Sequence, residues 1–352
     1  MKMFSGAARA GAAAGLAVAL LFSAACAKPF VVKGQPFVAI DAFAQKDEMA
    51  RGVNVLGYDP VWQDRSKGRF TPAMFKKIRE AGFSNVRLVM QTFAHLDANN
   101  QLDPKWLATL DQMVRAALEQ GLTVVLDEHD YNICAQSADN CRTKLTALWS
   151  QLAPHFADAP NKVVFELLNE PNTAITPQVW HSLYRELLAV VRQTNPTRNV
   201  VIGGPNWNNL EGLPWVKLPD GDQHIIVALH YYLPRPFTHQ GAAWDPVNTD
   251  LGVTWGTKSE YQAMEEELYV AKMWSDANNR PIYLGEFGAY DKAPMESRAK
   301  WTAAVARYAE RYGFAWAYWQ LDPDFALYDF KTGTWVEPLL NALVPNPAPS
   351  AQ

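Results

Sequence analysis

An excess of charge of one sign is missing from this chain. Its 352 residues carry 32 Lys and Arg against 36 Asp and Glu, a formal charge of −4. That balance gives no electrostatic basis for binding nucleic acid or an anionic membrane surface. Charged residues make up 19% of the sequence and hydrophobic ones 49%, which excludes global disorder and predicts a sizeable core. No Pro/Gly/Ser-rich linker divides the interior, and no internal repeat recurs. A glycine-rich phosphate loop is also absent, which argues against a nucleotide-binding open sheet. Cysteine is scarce, with Cys26, Cys134 and Cys141 alone.

Lys2 and Arg9 precede the apolar run "GAAAGLAVALLF", which is followed by "SAACA". This is the layout of a secretory signal, and the run is too short for a stable membrane anchor. We therefore expect a signal peptide over 1–27, an extension over 28–50, a catalytic domain over 51–344 and a tail over 345–352. Two processing routes stay open: ordinary cleavage near Ala25 or Ala27, or lipidation of Cys26 as a lipoprotein. "Ser-Ala-Ala-Cys" lacks the Leu that the second route wants three residues earlier. The product is expected to be exported: periplasmic, secreted or held in the outer membrane. In an exported chain, Cys134 and Cys141 read as a staple across "AQSADN", with free thiols as the alternative. Two thiolates alone cannot complete a zinc shell.

What is present is alternation. Strand-like runs occur at 52–57, 85–90, 122–127, 162–168, 199–204, 225–232, 281–287 and 313–320, with helix-like segments between them. Thr71-Pro72, Asp103-Pro104 and Thr176-Pro177 each place an N-cap before a first-turn proline. Gly82 and Gly121 follow the first two of these helical segments, as left-handed C-caps. In "PKWLATLDQMVRAALEQ", Trp106, Leu107, Leu110, Met113, Val114, Ala117 and Leu118 share one face. The fifth unit offers only a short helix. Eight such units predict an α/β fold, a single (β/α)8 TIM barrel.

In such a barrel the chemistry lies at the C-terminal ends of the strands. The second strand carries Arg87, the third ends in "LDEHDY" and the fourth delivers Asn169 and Glu170. The sixth ends in His230, Tyr231 and Tyr232, the seventh carries Glu286 and the eighth Trp319. Two carboxylates facing each other across the mouth suit glycoside hydrolysis, where one protonates the departing oxygen and the other meets the oxocarbenium ion. At a separation of about 5–5.5 Å the second attacks directly and configuration is retained. The negative charge of Glu286 is expected to raise the pKa of Glu170. Metal chemistry is the rival, with "DEHD" plus His230 as ligands, but the first strand lacks the His-x-His with which such sites begin.

"LDEHD", "LLNEPN", "LHYY", "LGEFG" and "AYWQL", in that order, resemble glycoside hydrolase family 5, the cellulase family, over roughly residues 50–342. The resemblance implies Glu170 as acid/base and Glu286 as nucleophile. It implies that Asn169 binds a sugar hydroxyl and that Arg87 and Tyr232 keep Glu286 ionised and aimed. His129 and His230 would line the cleavage subsite, with Trp319 as its floor. Trp207, Trp244, Trp62 and Tyr131 fall on expected rim loops and are read as substrate contacts, with loop packing as the competing role. Trp106, Trp180, Trp274 and Trp301 are read as core, and Glu128 and Glu166 as structural partners of basic residues. The implied activity is a retaining endo-β-1,4-glucanase acting on a β-linked polysaccharide, without metal, cofactor or obligate partner. A β-mannanase, xylanase or mixed-linkage glucanase is the alternative within the class. A carbohydrate-binding protein that no longer cleaves is the alternative outside it.

Overall fold

The computed structural model describes residues 29–345. The expected signal, Cys26 and nearly all of the expected tail lie outside them. Eight strands form a closed parallel barrel: β1 (Arg51–Val55), β2 (Asn85–Met90), β3 (Thr123–Glu128), β4 (Val163–Glu166), β5 (Val200–Gly203), β6 (Ile225–Tyr231), β7 (Ile282–Phe287) and β8 (Ala315–Tyr318). β1 pairs with both β2 and β8, which closes the ring. All eight lie within or shifted by one residue from the runs read in the sequence. Among the described residues no helix is long and apolar enough to cross a membrane.

Around the barrel the described residues form helices α1 (Ala42–Met49), α2 (Met74–Glu80), α3 (Pro104–Glu119), α4 (Tyr131–Cys134), α5 (Ala138–His155), α6 (Pro177–Arg192), α7 (Arg235–Thr238), α8 (Lys258–Asn278), α9 (Met295–Arg311) and α10 (Glu337–Leu343). Most follow the expected capping. Asp103 accepts from the Lys105 amide and Thr176 from the Val179 amide at the starts of α3 and α6, each cap contributing about 1 kcal/mol. Thr71 does not cap: α2 begins at Met74 behind a turn and has no side-chain cap. Gly82 and Gly121 adopt φ of +103° and +74°, where a side chain would be strained. The fifth connection is a 3-10 turn over Leu210–Trp215.

Because strand side chains alternate, every second residue points down the barrel axis. The lower layer is apolar: Val125, Val164, Val201, Ile226, Tyr283 and Ala315 pack with Ala42 and Met49 of α1, which closes that end. One step higher the same parity delivers Asn54, Arg87, Asp127 and Glu166, all fully buried. Above them lies the site.

Candidate active site

Arg87 is the hub. Its Nη1 donates to Glu286 Oε1 at 2.7 Å and to Asn54 Oδ1 at 2.9 Å. Its Nη2 donates to Asn169 Oδ1 at 2.8 Å, and Glu166 accepts from Nε and Nη2 at 2.7 and 3.0 Å. The second oxygen of Glu286 accepts from the Tyr232 hydroxyl at 2.9 Å. The carboxylate is therefore held from both sides. Its pKa is nonetheless raised, because burial outweighs the opposing pull of His230 and Arg87, and the charge of Glu170 adds to it.

Glu170 stands at the end of the segment that leaves β4, in a left-handed conformation with φ of +42° between Asn169 and Pro171. A non-glycine residue held there stores strain of about 1–3 kcal/mol, which the surrounding contacts must offset. Its Oε1 lies 2.8 Å from His230 Nδ1, and that nitrogen is 3.6 Å from Glu286 Oε2. Glu170, His230 and Glu286 each bring one such atom within 4.8 Å of the others. Burial pushes Glu170 up to about 7. The charge of Glu286, expected to be the cause, is not among its leading contributors; removal from water is. Burial also pushes His129 and His230 down to about 4, so both imidazoles are neutral near pH 7. A neutral His230 can donate its Nδ1 proton to the Glu170 carboxylate or accept the proton of the acid, according to tautomer.

His129 follows β3 with Nδ1 at 2.6 Å from Asp127 Oδ2. With the imidazole proton held there, Nε2 is an acceptor, and Asn169 Nδ2 faces it at 3.4 Å. Arg87 and His129 thus fix the orientation of the Asn169 amide. Trp319 stacks on His129 with centroids 5.4 Å apart and planes 7° apart. It packs with Val89 and Phe325 and follows directly on β8, and its bond to Gln320 is cis. A side chain at Gly288 would meet the Trp319 carbonyl oxygen at 2.3 Å, so glycine there lets the two strand ends close up.

The four rim aromatics divide. Tyr131 stands edge-on to His129 at 5.3 Å. Trp244 is 52% exposed and sits edge-on to Tyr290 at 4.9 Å, beside the Trp319 cluster. Trp207 is 46% exposed and lines a cleft of about 350 Å³ with Asn172, Thr173 and Trp215. Trp62 is 5% exposed, donates Nε1–H to the Leu56 carbonyl and packs on Trp106 at 5.3 Å. Its expected contact with substrate is corrected: the 3-10 turn after β1 folds it inward to pack on α3. Trp106, Trp180 and Trp301 are core as expected, whereas Trp274 is only half-buried.

Of the two acids read as partners of basic residues, one departs from that expectation. Among the described residues Glu128 has no basic partner; Thr92 donates a short hydrogen bond to it and the Asp130 amide a longer one. Glu166 does pair with a base, and that base is Arg87 of the site itself. The β3 acids do not gather with His230 into a three-donor cluster among the described residues. Cys134 and Cys141 form a disulfide between α4 and α5, in the wall that follows β3.

Sequence reading missed two neighbours. His239 stands edge-on to Tyr232 at 5.2 Å, and burial pushes it down to about 4. Tyr58 follows β1 on the rim; it is 53% exposed, and its hydroxyl is pushed up by the burial of the rest and by the charges of Glu286, Asp324 and Glu170. Only the position of each after a barrel strand could have signalled it.

The sequence profile described as cellulase (glycosyl hydrolase family 5) matches residues 45–325. The chain belongs to glycoside hydrolase family 5. Endoglucanase H of Acetivibrio thermocellus is 30% identical over 323 residues, covering 87% of this chain and 34% of that protein. Endoglucanase 3 of Fibrobacter succinogenes is 25% identical over 83% of this chain and 52% of its own length. The chain therefore spans between a third and about half of the length of these two relatives. The crystal structure of endoglucanase Cel5A from Thermotoga maritima superposes with a TM-score of 0.83 at 35% identity, covering 87% of this chain and all of that one. Its barrel is the fold of that structural neighbour.

Proposed function

We propose that this chain is a retaining endo-β-1,4-glucanase. The observation that carries the reading is the approach of Glu170 and Glu286, which bring oxygens within 4.8 Å of each other around one imidazole. Inverting enzymes keep their carboxyls about 6.5–9.5 Å apart to admit a water, and this gap is narrower. Glu286, aimed by Arg87 and Tyr232, attacks the anomeric carbon. Glu170, protonated up to about pH 7, gives its proton to the leaving oxygen. Once the sugar is bonded to Glu286, Glu170 takes a proton from water, which releases the product.

Internal cleavage of a β-1,4-glucan is supported by the endoglucanase relatives and by Trp207 and Trp244, exposed on the rim where a polymer would lie. A second reading, cleavage of β-mannan, is favoured by the Thermotoga maritima Cel5A structure in complex with mannotriose, 34% identical to this chain. Export as the site of action rests on the N-terminal run and on the disulfide; a lipid at Cys26 is the weaker of the two processing routes.

The deciding experiment digests carboxymethylcellulose and mannan, and follows the first-formed anomer by proton NMR. Initial β-products from the glucan, abolished in Glu286→Ala, are expected. Initial α-products would remove the retaining mechanism. Binding without turnover by the native chain would favour a non-catalytic role.

A further inference from the structure

The five N–H groups of the Arg87 guanidinium are all placed. Glu166 takes Nε and one proton of Nη2, Asn169 takes the other, and Asn54 and Glu286 divide Nη1. A sixth acceptor waits beside them. Asp127 Oδ1 is buried and lies 3.0 Å from Nη2, yet it has no hydrogen bond. Short distance without alignment means that the guanidinium plane is held off Asp127 by something else. The group that fixes the plane is Glu166, which grips the stem-side edge of the fork by two bonds, the geometry that a carboxylate and a guanidinium share. β4 carries both Glu166 and, just beyond its end, Asn169, so one strand holds the hub and one of its targets.

We propose that Glu166 is a positioning residue for cleavage: it locks the plane of Arg87 so that Nη1 aims Glu286 and Nη2 aims Asn169. This rests on Glu286 being the nucleophile. Without the two-point grip, Arg87 turns toward Asp127 and Nη1 leaves Glu286, so the attacking oxygen loses its aim, while the stacked Trp319 and His129 that would line the sugar pocket stay in place. Misplacing a reacting group by about 1 Å costs on the order of 10²-fold in rate.

The test labels the enzyme with 2,4-dinitrophenyl 2-deoxy-2-fluoro-β-cellobioside, whose good leaving group needs no acid. In Glu166→Gln we expect the maximal rate of inactivation to fall about 10²-fold, with the half-saturating concentration within about threefold of native. Glu166→Asp keeps the charge but is one methylene short of reaching Nε and Nη2; it should show the same split, and it supplies the comparison if the amide variant does not fold. Equal inactivation rates in native and folded variants, with a lowered melting temperature alone, would reduce Glu166 to a structural residue and overturn the proposal. Label found by mass spectrometry away from Glu286 in the native chain would overturn the nucleophile assignment instead, and the proposal with it.

Discussion

His230 Nδ1 lies 2.8 Å from Glu170 and belongs to an imidazole that burial keeps neutral. The acid therefore has an uncharged hydrogen-bonding partner, burial outweighs the opposing pull of Arg87, and its proton leaves near pH 7. Since Glu170 must be protonated to act, kcat/KM should decline as pH rises through about 7. Glu170→Ala should abolish that limb on an aryl cellobioside with a good leaving group. It should slow substrates with poor leaving groups by roughly 10²–10⁴-fold. A limb that persists in the variant would assign it to another group. Glu286 defines the other side, and its raised pKa places the acid limb above where an ordinary glutamate would put it.

The same carboxyl should weaken the fold. In the unfolded chain it ionises near 4.5, in the folded one near 7. The folded state thus holds the proton more tightly, and its stability falls as pH rises between those values. Glu170→Gln, which removes the titration, should gain on the native protein by up to about 3 kcal/mol between pH 4.5 and 7. Thermal midpoints at pH 5 and pH 8 check this; a constant difference between the two proteins would refute it.

Trp62 and Trp207 should fail in opposite ways. Trp62→Ala opens a cavity against Trp106 and should cost about 3–5 kcal/mol of stability, with KM unchanged in whatever remains folded. Trp207→Ala removes an exposed ring from the cleft beside Asn172, and should raise KM for polymer without moving the melting temperature. Urea melts and initial rates on the two variants distinguish these outcomes.

Reduction of the disulfide should be felt at the site. The bridge closes a loop with a separation of seven residues, contributing about 2–3 kcal/mol in the chain-entropy account. The segment between the two cysteines also touches the acid's own loop, since the Ala174 amide donates to the Ala135 carbonyl at 3.3 Å. We expect a lower melting temperature and a higher KM after reduction. If both stay put, the staple does nothing for this wall.

The barrel was legible because each strand run is bounded by its own turn and cap residues, and both glutamates because "LLNEPN" and "LGEFG" end or close such runs. Glu166 was harder. Its sequence says only that an acid sits in an apolar strand; its role needs the parity that points it, with Arg87 of a non-adjacent strand, down one axis. Trp62 was misread because rim position does not say which way a short turn folds a side chain. His239 and Tyr58 are reached through loop conformation, which local periodicity does not encode.

The plug at the far end of the barrel, where Ala42 and Met49 meet the lower strand residues, has a practical meaning. It is an oily stopper that shares no side chain with the cutting edge, so the two ends answer to separate demands. A protein engineer could regraft the loops bearing Trp207 and Trp244 to retune which glycan is gripped, and leave the base of the molecule untouched.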